Sequence, residues 1–215
     1  MASAAAVSVI SDDGLAHLRA ADPVLRAIID RFGPDGLGDR ADRQQSEHYG
    51  ALVRSIVGQQ LSTKAAASIY ARLVARFNGR DPTPQEVLDD DPEGLRSVGL
   101  SRAKVQFLRS LAEHVIEGSL ELEKLDTLDD LTVIAELTAV KGIGVWSAQM
   151  FLMFHLRRPD VLAVGDLGIR KAMMLAYGLP ELPAPAAMEE IAACWSPHRT
   201  LACRYLWRSL DNEPA

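Results

Sequence analysis

The chain has 215 residues, 48% of them hydrophobic, so it can bury a core, and a wholly disordered protein is excluded. Its formal net charge of −6 argues against a protein that holds nucleic acid by bulk electrostatics, so any contact with DNA must be local. This length predicts one compact unit or two closely joined lobes.

Residues 1–10 are small and apolar, but they lack the basic flank of a signal peptide and are too short to span a bilayer. We therefore expect a loose tail and no membrane association. Cys194 and Cys203 predict reduced thiols in a cytoplasmic protein, and they cannot supply the thiolates of an iron–sulfur cluster. No His, Cys and carboxylate grouping has convincing zinc spacing, so neither a metal nor another cofactor is expected.

Helix start and stop signals follow one another along the chain, and no alternating run suggests a sheet, so the predicted fold class is all-α. In chain order the signals are Asp22-Pro23 before a helix through Ile29, Ser62 or Thr63 as a cap, Asn78-Gly79 as a stop, Thr83-Pro84 as a start, Ser101 as the cap of a helix to about Ile116, and Pro185 and Pro197 before the last two helices.

Local positive charge is present in several places, although each basic residue alone is more often a solvated surface charge. The candidates for DNA contact are Arg102, Lys104, Arg109, Lys141, Arg170, Lys171, Arg199, Arg204 and Arg208.

The most informative motif is Val140-Lys141-Gly142-Ile143-Gly144, which separates two segments with apolar residues at helical spacing. Gly142 and Gly144 are expected to supply positive φ values and bare backbone for a tight turn. The helix that follows begins with unpaired N–H groups, which suit a phosphate of the DNA backbone. Taken alone, such a turn is more often an ordinary helical hairpin closed by glycine.

A carboxylate follows the motif, because Asp166 comes after Gly165 at the start of another predicted helix. By itself an aspartate in this position is a helix N-cap. Downstream of the hairpin it is also a candidate catalytic group, since a carboxylate can stabilise positive charge on deoxyribose and orient a water at C1′.

These motifs together resemble the helix-hairpin-helix (HhH-GPD) DNA glycosylases, whose pattern is a hairpin, a helix and a Gly/Pro-Asp element. Lys141 stands where the family pattern has proline. The chain is most similar to the 3-methyladenine DNA glycosylase II, or AlkA, type, and the similarity covers roughly residues 45–210. The motifs that support this are Ile56-Val57-Gly58-Gln59-Gln60-Leu61-Ser62, Gly99-Leu100-Ser101-Arg102-Ala103-Lys104, and Trp195-Ser196-Pro197-His198-Arg199 running to Trp207.

The resemblance implies a single glycosylase domain over residues 1–215, with two helical lobes and an active-site cleft between them. One lobe is expected at about 45–158 and the other at about 11–44 plus 159–211. The extra N-terminal β domain of longer bacterial members is not expected in a chain of this length.

The resemblance also assigns candidate site residues, although in an unrelated protein the same side chains are ordinary core or turn residues. The implied roles are Asp166 for catalysis, Trp146, Met150 and Trp207 for the base pocket, Gln60 or Leu61 for the wedge that replaces a flipped nucleotide, and Lys141, Gly142, Ile143 and Gly144 for the DNA backbone. Trp146 stands where strand-cleaving members have a nucleophilic lysine, so the implied enzyme is monofunctional.

The predicted function is excision of alkylated purines, such as 3-methyladenine and 7-methylguanine, from double-stranded DNA by base flipping, by a monomer in a bacterial-type cytoplasm. The alternatives are a non-catalytic helix-hairpin-helix DNA-binding protein, a glycosylase for oxidised or mismatched bases, and a purely structural helical protein. Asp166 argues against the first, the absence of the lysine and the cluster against the second, and the ordered motifs against the third.

Overall fold

A computed structural model describes residues 11–34 and 47–210, and this part of the chain is helical with no β-strand. The all-α class predicted from the sequence is therefore confirmed. The helices are α1 (Asp12–Ala21), α2 (Pro23–Phe32), α3 (His48–Gly58), α4 (Thr63–Arg76), α5 (Pro84–Asp89), α6 (Pro92–Ser97), α7 (Arg102–Ile116), α8 (Asp130–Ala139), α9 (Val145–Phe154), α10 (Leu167–Tyr177), α11 (Pro185–Ile191) and α12 (Arg199–Ser209), with short 3-10 helices at Leu122–Lys124 and Ala192–Trp195.

The structure divides into two compact units. We call described residues 47–151 the hairpin unit, and described residues 11–34 with 152–210 the Asp166 unit. The division falls inside α9, whereas the sequence placed the lobe boundary near residue 158. The last turn of α9 belongs to the Asp166 unit, where Phe154 stacks on Trp207 with ring centroids 5.8 Å apart. The predicted tail, residues 1–10, lies outside the described residues.

The hairpin unit is organised around α7, which packs against α3, α5 and α6. Its core includes Leu52, Ile56, Leu108 and Leu111, all almost fully buried. Hydrophobic burial of such side chains contributes about 1.5–3 kcal/mol each to folding. This core fixes α7 and α3, which carry the residues next to the predicted hairpin and wedge.

Local capping chemistry sets several helix starts where the sequence predicted them. The side chains of Ser62, Thr83 and Ser101 each accept a backbone N–H from the first turn of the helix that follows. Thr83 and Glu86 also form a reciprocal capping box. Each cap satisfies a donor that the helix itself cannot pair, so these boundaries are readable from sequence.

The start of α12 was predicted wrongly. Pro197 does not open the helix, which begins at Arg199. The backbone N–H of Arg199 donates to Asp160 Oδ1 at 3.2 Å, and its guanidinium also pairs with that carboxylate. A residue distant in sequence therefore fixes this helix start.

A buried carboxylate organises the Asp166 unit. Asp22 is 4% exposed, and its Oδ1 accepts the N–H groups of Val24 and Leu25 at the start of α2. Its Oδ2 accepts the Tyr177 hydroxyl at 2.5 Å and Trp195 Nε1–H at 2.7 Å. The cap predicted at Asp22 is thus also a connection from α2 to α10 and to the 3-10 helix at Ala192–Trp195.

Replacing Tyr177 with phenylalanine is expected to lower the free energy of unfolding by about 1.5–3 kcal/mol near neutral pH, the range for one hydrogen bond to a charged group. Burial, together with the neighbouring Asp22, raises the pKa of Tyr177 above the ordinary tyrosine range. The unfolded chain therefore loses this proton first, above about pH 10, and the wild type loses stability there as pH rises. Urea unfolding of both proteins from about pH 7 to about pH 11 tests this expectation, and the stability difference should shrink at the alkaline end. A constant difference would contradict it.

Candidate functional site

The turn between α8 and α9 has a buried base and an exposed tip. Val140 is 1% exposed and donates its N–H to Leu137 O, and Ile143 is 6% exposed and donates its N–H to Val140 O. Lys141 and Gly144 are exposed between and after these anchors. Helix α9 begins at the next residue, Val145, so its first turn starts beside exposed backbone. This is the geometry that a phosphate-binding hairpin needs.

Glycine stands at the two positions of the hairpin for different structural reasons. Gly142 has a φ of 94°, and an added Cβ would lie 2.1 Å from the ring of Phe107. Gly144 is outside the left-handed region, and an added Cβ would meet nothing within 4 Å. The prediction that both glycines supply positive φ is therefore wrong for Gly144. The fold itself requires Gly142, whereas Gly144 leaves bare backbone at an exposed position.

Two predicted DNA contacts on α7 instead bind carbonyl groups of the protein. Lys104 Nζ donates to Val57 O at 2.8 Å, and Arg109 Nη1 donates to Leu88 O at 3.0 Å. Burial lowers the pKa of Lys104. These cations lie at the carboxyl ends of α3 and α5, where positive charge stabilises a helix. Lys141 at the hairpin is exposed.

Basic residues of the Asp166 unit also divide into those that bind groups of the protein and one that is exposed. Arg170 Nε donates to Pro183 O at 3.0 Å, and Arg199 forms a two-bond ion pair with Asp160. Lys171, next to Arg170, is exposed. Exposed Lys171 therefore fits a contact with DNA better than these two arginines do.

Residues 59–62, which we call the wedge turn, connect α3 to α4. Gln60 is exposed with a φ of 57°, an uncommon value for a residue other than glycine. Leu61 is 38% exposed, so it is not the core leucine that an ordinary turn would have. Gln59 Nε2 donates to Gly142 O at 2.8 Å, which brings the wedge turn and the hairpin together.

The two pocket candidates of α9 also belong to the hairpin unit. Trp146, in the first turn of the helix, is 46% exposed, and Met150, one turn later on the same face, is partly buried. A large aromatic side chain with this much exposed surface is typical of binding sites. Their role in a base pocket stays a prediction.

Asp166 is the N-cap of α10 and is 9% exposed. Its Oδ1 accepts the backbone N–H of Ile169 at 2.8 Å and the indole Nε1–H of Trp207, also at 2.8 Å. The N-cap role considered from the sequence is thus present. The two donors on Oδ1 fix the direction of the carboxylate, which is compatible with a catalytic role.

Trp207 is held on two sides within the Asp166 unit. Its ring stacks on Phe154 with an interplanar angle of 28°, and its Nε1–H is bonded to Asp166. Gly168 leaves the space for this arrangement, because an added Cβ would lie 3.0 Å from Asp166 Oδ1 and 3.1 Å from the indole. The structure therefore brings Trp207 and Asp166 together, a contact that the sequence did not predict.

No cluster of three or more His, Cys, Asp or Glu side chains that could hold a metal ion occurs within residues 11–34 and 47–210. Cys194 is exposed and Cys203 is buried, and neither forms a disulfide; burial raises the pKa of the Cys203 thiol to about 12. Among the helices described, none has the length and apolarity needed to cross a membrane.

Three residues with clear roles were missed from sequence: Gln59, Phe154 and Gly168. Gln59 lies inside the motif at residues 56–62, and Gly168 lies two residues after Asp166, but their neighbours received the functional roles. Gln59 contacts a residue 83 positions away, and Gly168 leaves room for a contact between residues that are 41 positions apart. No local pattern therefore reveals either role. Phe154 gave no signal beyond helical spacing.

Comparison with known proteins gives consistent matches. The model of the HhH-GPD superfamily of base excision DNA repair proteins matches residues 53–198. The sequence is 37% identical over 168 residues to DNA-3-methyladenine glycosylase 1 of Schizosaccharomyces pombe, a match that covers 77% of this chain and 74% of that protein. It is 27% identical over 171 residues to DNA-3-methyladenine glycosylase 2 of Escherichia coli, covering 75% of this chain and 57% of that protein.

A solved structure matches over nearly the whole chain. It is the 3-methyladenine DNA glycosylase Mag1 of S. pombe in complex with abasic DNA, with a TM-score of 0.83 and 32% sequence identity. The alignment covers 94% of this chain and 98% of that one.

Proposed function

The chain belongs to the HhH-GPD superfamily of base excision DNA repair proteins, and on this premise we propose that it is a DNA glycosylase that excises alkylated bases. The names of its relatives give 3-methyladenine as their substrate. We propose cationic N-alkylated purines, 3-methyladenine and 7-methylguanine, in double-stranded DNA as the substrates here. A monomeric state and a bacterial-type cytoplasmic location stay predictions.

The observation that carries this proposal is the fixed carboxylate of Asp166. Breaking an N-glycosidic bond leaves positive charge on the deoxyribose, which a nearby carboxylate stabilises. The electron pair of the bond leaves with the purine, water adds to C1′, and the water's proton passes to the carboxylate and then to solvent. Because Ile169 and Trp207 bind Oδ1, the carboxylate has its direction before substrate arrives.

The substrate class follows from what the residues supply. An alkylated purinium departs as a neutral base without being protonated, so the reaction needs a carboxylate but no dedicated general acid. Exposed Trp146 can present an electron-rich face to a cationic base, an attraction of roughly 0.5–2 kcal/mol for a well-placed ring. We expect tolerance among alkylated purines and poor activity on 8-oxoguanine or uracil.

DNA binding is assigned to the hairpin unit. The backbone at Gly144 and the first turn of α9 fit a DNA phosphate, and exposed Lys141 adds local positive charge to an acidic protein. A base must leave the duplex stack to be excised, and we propose that Leu61 or Gln60 fills the gap. The partial exposure of Leu61 supports this role.

The test is incubation of the purified protein with methylated duplex DNA, followed by chromatography of the released bases. We expect free 3-methyladenine and 7-methylguanine, with 8-oxoguanine released much more slowly from a matched duplex. Binding without release would favour a non-catalytic DNA-binding protein. Faster release of 8-oxoguanine would show a glycosylase for another damaged base.

We also propose that the enzyme has no strand-cleaving activity, so borohydride should trap no covalent complex with DNA during turnover. Trapping requires an imine between the sugar and an amine, and the family resemblance implies that Trp146 stands where strand-cleaving members have a nucleophilic lysine. Denaturing gel electrophoresis after borohydride treatment measures this. A trapped adduct mapped to Lys141 or Lys171 would contradict the monofunctional assignment.

A further inference from the structure

One face of α7 supports both DNA-contacting segments of the hairpin unit. Lys104 donates to Val57 O just before the wedge turn, and Ser110 Oγ accepts the Lys141 N–H at 3.3 Å. Between them on the helix, Phe107 occupies the space against Gly142. Residues spaced by three along a helix share a face, so α7 is a common base for the wedge turn and the hairpin.

Gln59 joins these two segments directly. Its Nε2 donates to Gly142 O at 2.8 Å, and its backbone N–H donates to Ile56 O at the end of α3. The neighbouring Gln60 holds a sparsely populated left-handed conformation, which persists only when the surroundings fix it. The side chain of Gln59 thus bonds the wedge turn to the hairpin backbone. Gln59 comes directly before the two wedge candidates in the sequence.

We propose that Gln59 is a positioning residue for base flipping: it holds the wedge turn at a fixed distance from the phosphate-binding hairpin. This inference rests on the proposed glycosylase function. Binding at the hairpin fixes one DNA phosphate. A wedge turn that is held at a constant distance from this phosphate can enter the duplex without first losing conformational freedom. Pre-organisation of this kind reduces the entropy cost of each flipping event. Gln59 itself need not touch the DNA.

The test variant is Gln59→Met, which keeps the unbranched shape and removes the donor without adding charge. Single-turnover excision of 7-methylguanine should slow by roughly three- to tenfold in duplex DNA, the effect of one hydrogen bond. The rate on the same oligonucleotide as a single strand should change less than about twofold, because no duplex has to be opened. Gln85→Met is the matched control, since Gln85 lies exposed on α5 and bonds Asp89, and it should match wild type on both substrates.

A double-mutant cycle adds a readout that a merely structural residue would not move. Its second variant is Leu61→Ala or Gln60→Ala, whichever alone has the larger duplex defect. If Gln59 acts through the wedge, Gln59→Met should add little to that defect. Full additivity, equal losses on duplex and single strand, or an unchanged duplex rate would each overturn the proposal. Gln59→Glu serves if the methionine variant does not fold, and failure of both to fold would make Gln59 a structural residue and the proposal wrong. Wild-type protein that releases no methylated base would instead contradict the proposed function.

Discussion

Asp166→Asn is expected to remain folded and to lose at least ~10²-fold of the excision rate, the usual loss when one catalytic group is removed. Asparagine keeps an oxygen where Oδ1 accepts the N–H groups of Ile169 and Trp207, and it caps helices about as well as aspartate. The substitution therefore removes charge from the site with little change in the hydrogen bonds that hold it. Single-turnover release of 7-methylguanine measures the rate, and circular dichroism with thermal unfolding measures the fold.

A matched control exists in the N-cap of α8. Asp129 Oδ1 accepts the Thr132 N–H at 3.0 Å, the same i to i+3 contact that Asp166 makes with Ile169. Asp129→Asn should keep the wild-type rate, which separates loss of a catalytic charge from loss of a cap. A folded Asp166→Asn protein with full activity would make Asp166 a structural cap only. Binding of Asp166→Asn to abasic DNA should persist, because the substitution leaves the hairpin unchanged.

Gly144→Val is expected to weaken binding to abasic-site duplex DNA by roughly 10- to 100-fold while leaving the protein folded. Hydrogen bonds to charged groups contribute about 1.5–3 kcal/mol each, and displacing the phosphate from the hairpin loses at least one. A Cβ at Gly144 meets no protein atom within 4 Å, so we expect the protein to accommodate the substitution and the bound phosphate to be displaced. Fluorescence anisotropy with a labelled duplex containing a tetrahydrofuran abasic analogue measures the dissociation constant.

Two comparison variants make this result specific. Ala71→Val places the same side chain at an exposed position of α4 and should leave DNA affinity unchanged. Gly142→Val should instead lower thermal stability, because its positive φ and the Phe107 ring exclude a side chain. Unchanged DNA affinity in folded Gly144→Val would show that the hairpin is a structural element and does not bind the DNA phosphate.

In the hairpin, the sequence predicted one part of the structure and helix packing decided another. Its sequence predicted the turn, because glycine chemistry and helical spacing are local properties that one stretch of chain displays. The sequence treated Gly142 and Gly144 as equivalent. The structure distinguishes them by the positive φ of Gly142 and by the packing of α7, since the side chain that excludes a Cβ at Gly142 comes from Phe107, far away along the chain.

The sequence by itself determined the all-α class, the family, and the helix starts at Ser62, Thr83 and Ser101, because side-chain caps act within a few residues. Tertiary structure decided what depends on distant partners. Lys104 donates to a backbone carbonyl at the end of α3, Asp160 sets the start of α12, and Trp207 donates a hydrogen bond to Asp166. Hydrogen bonds of this kind are fixed by how helices pack, and packing depends on the whole core, which no local pattern encodes.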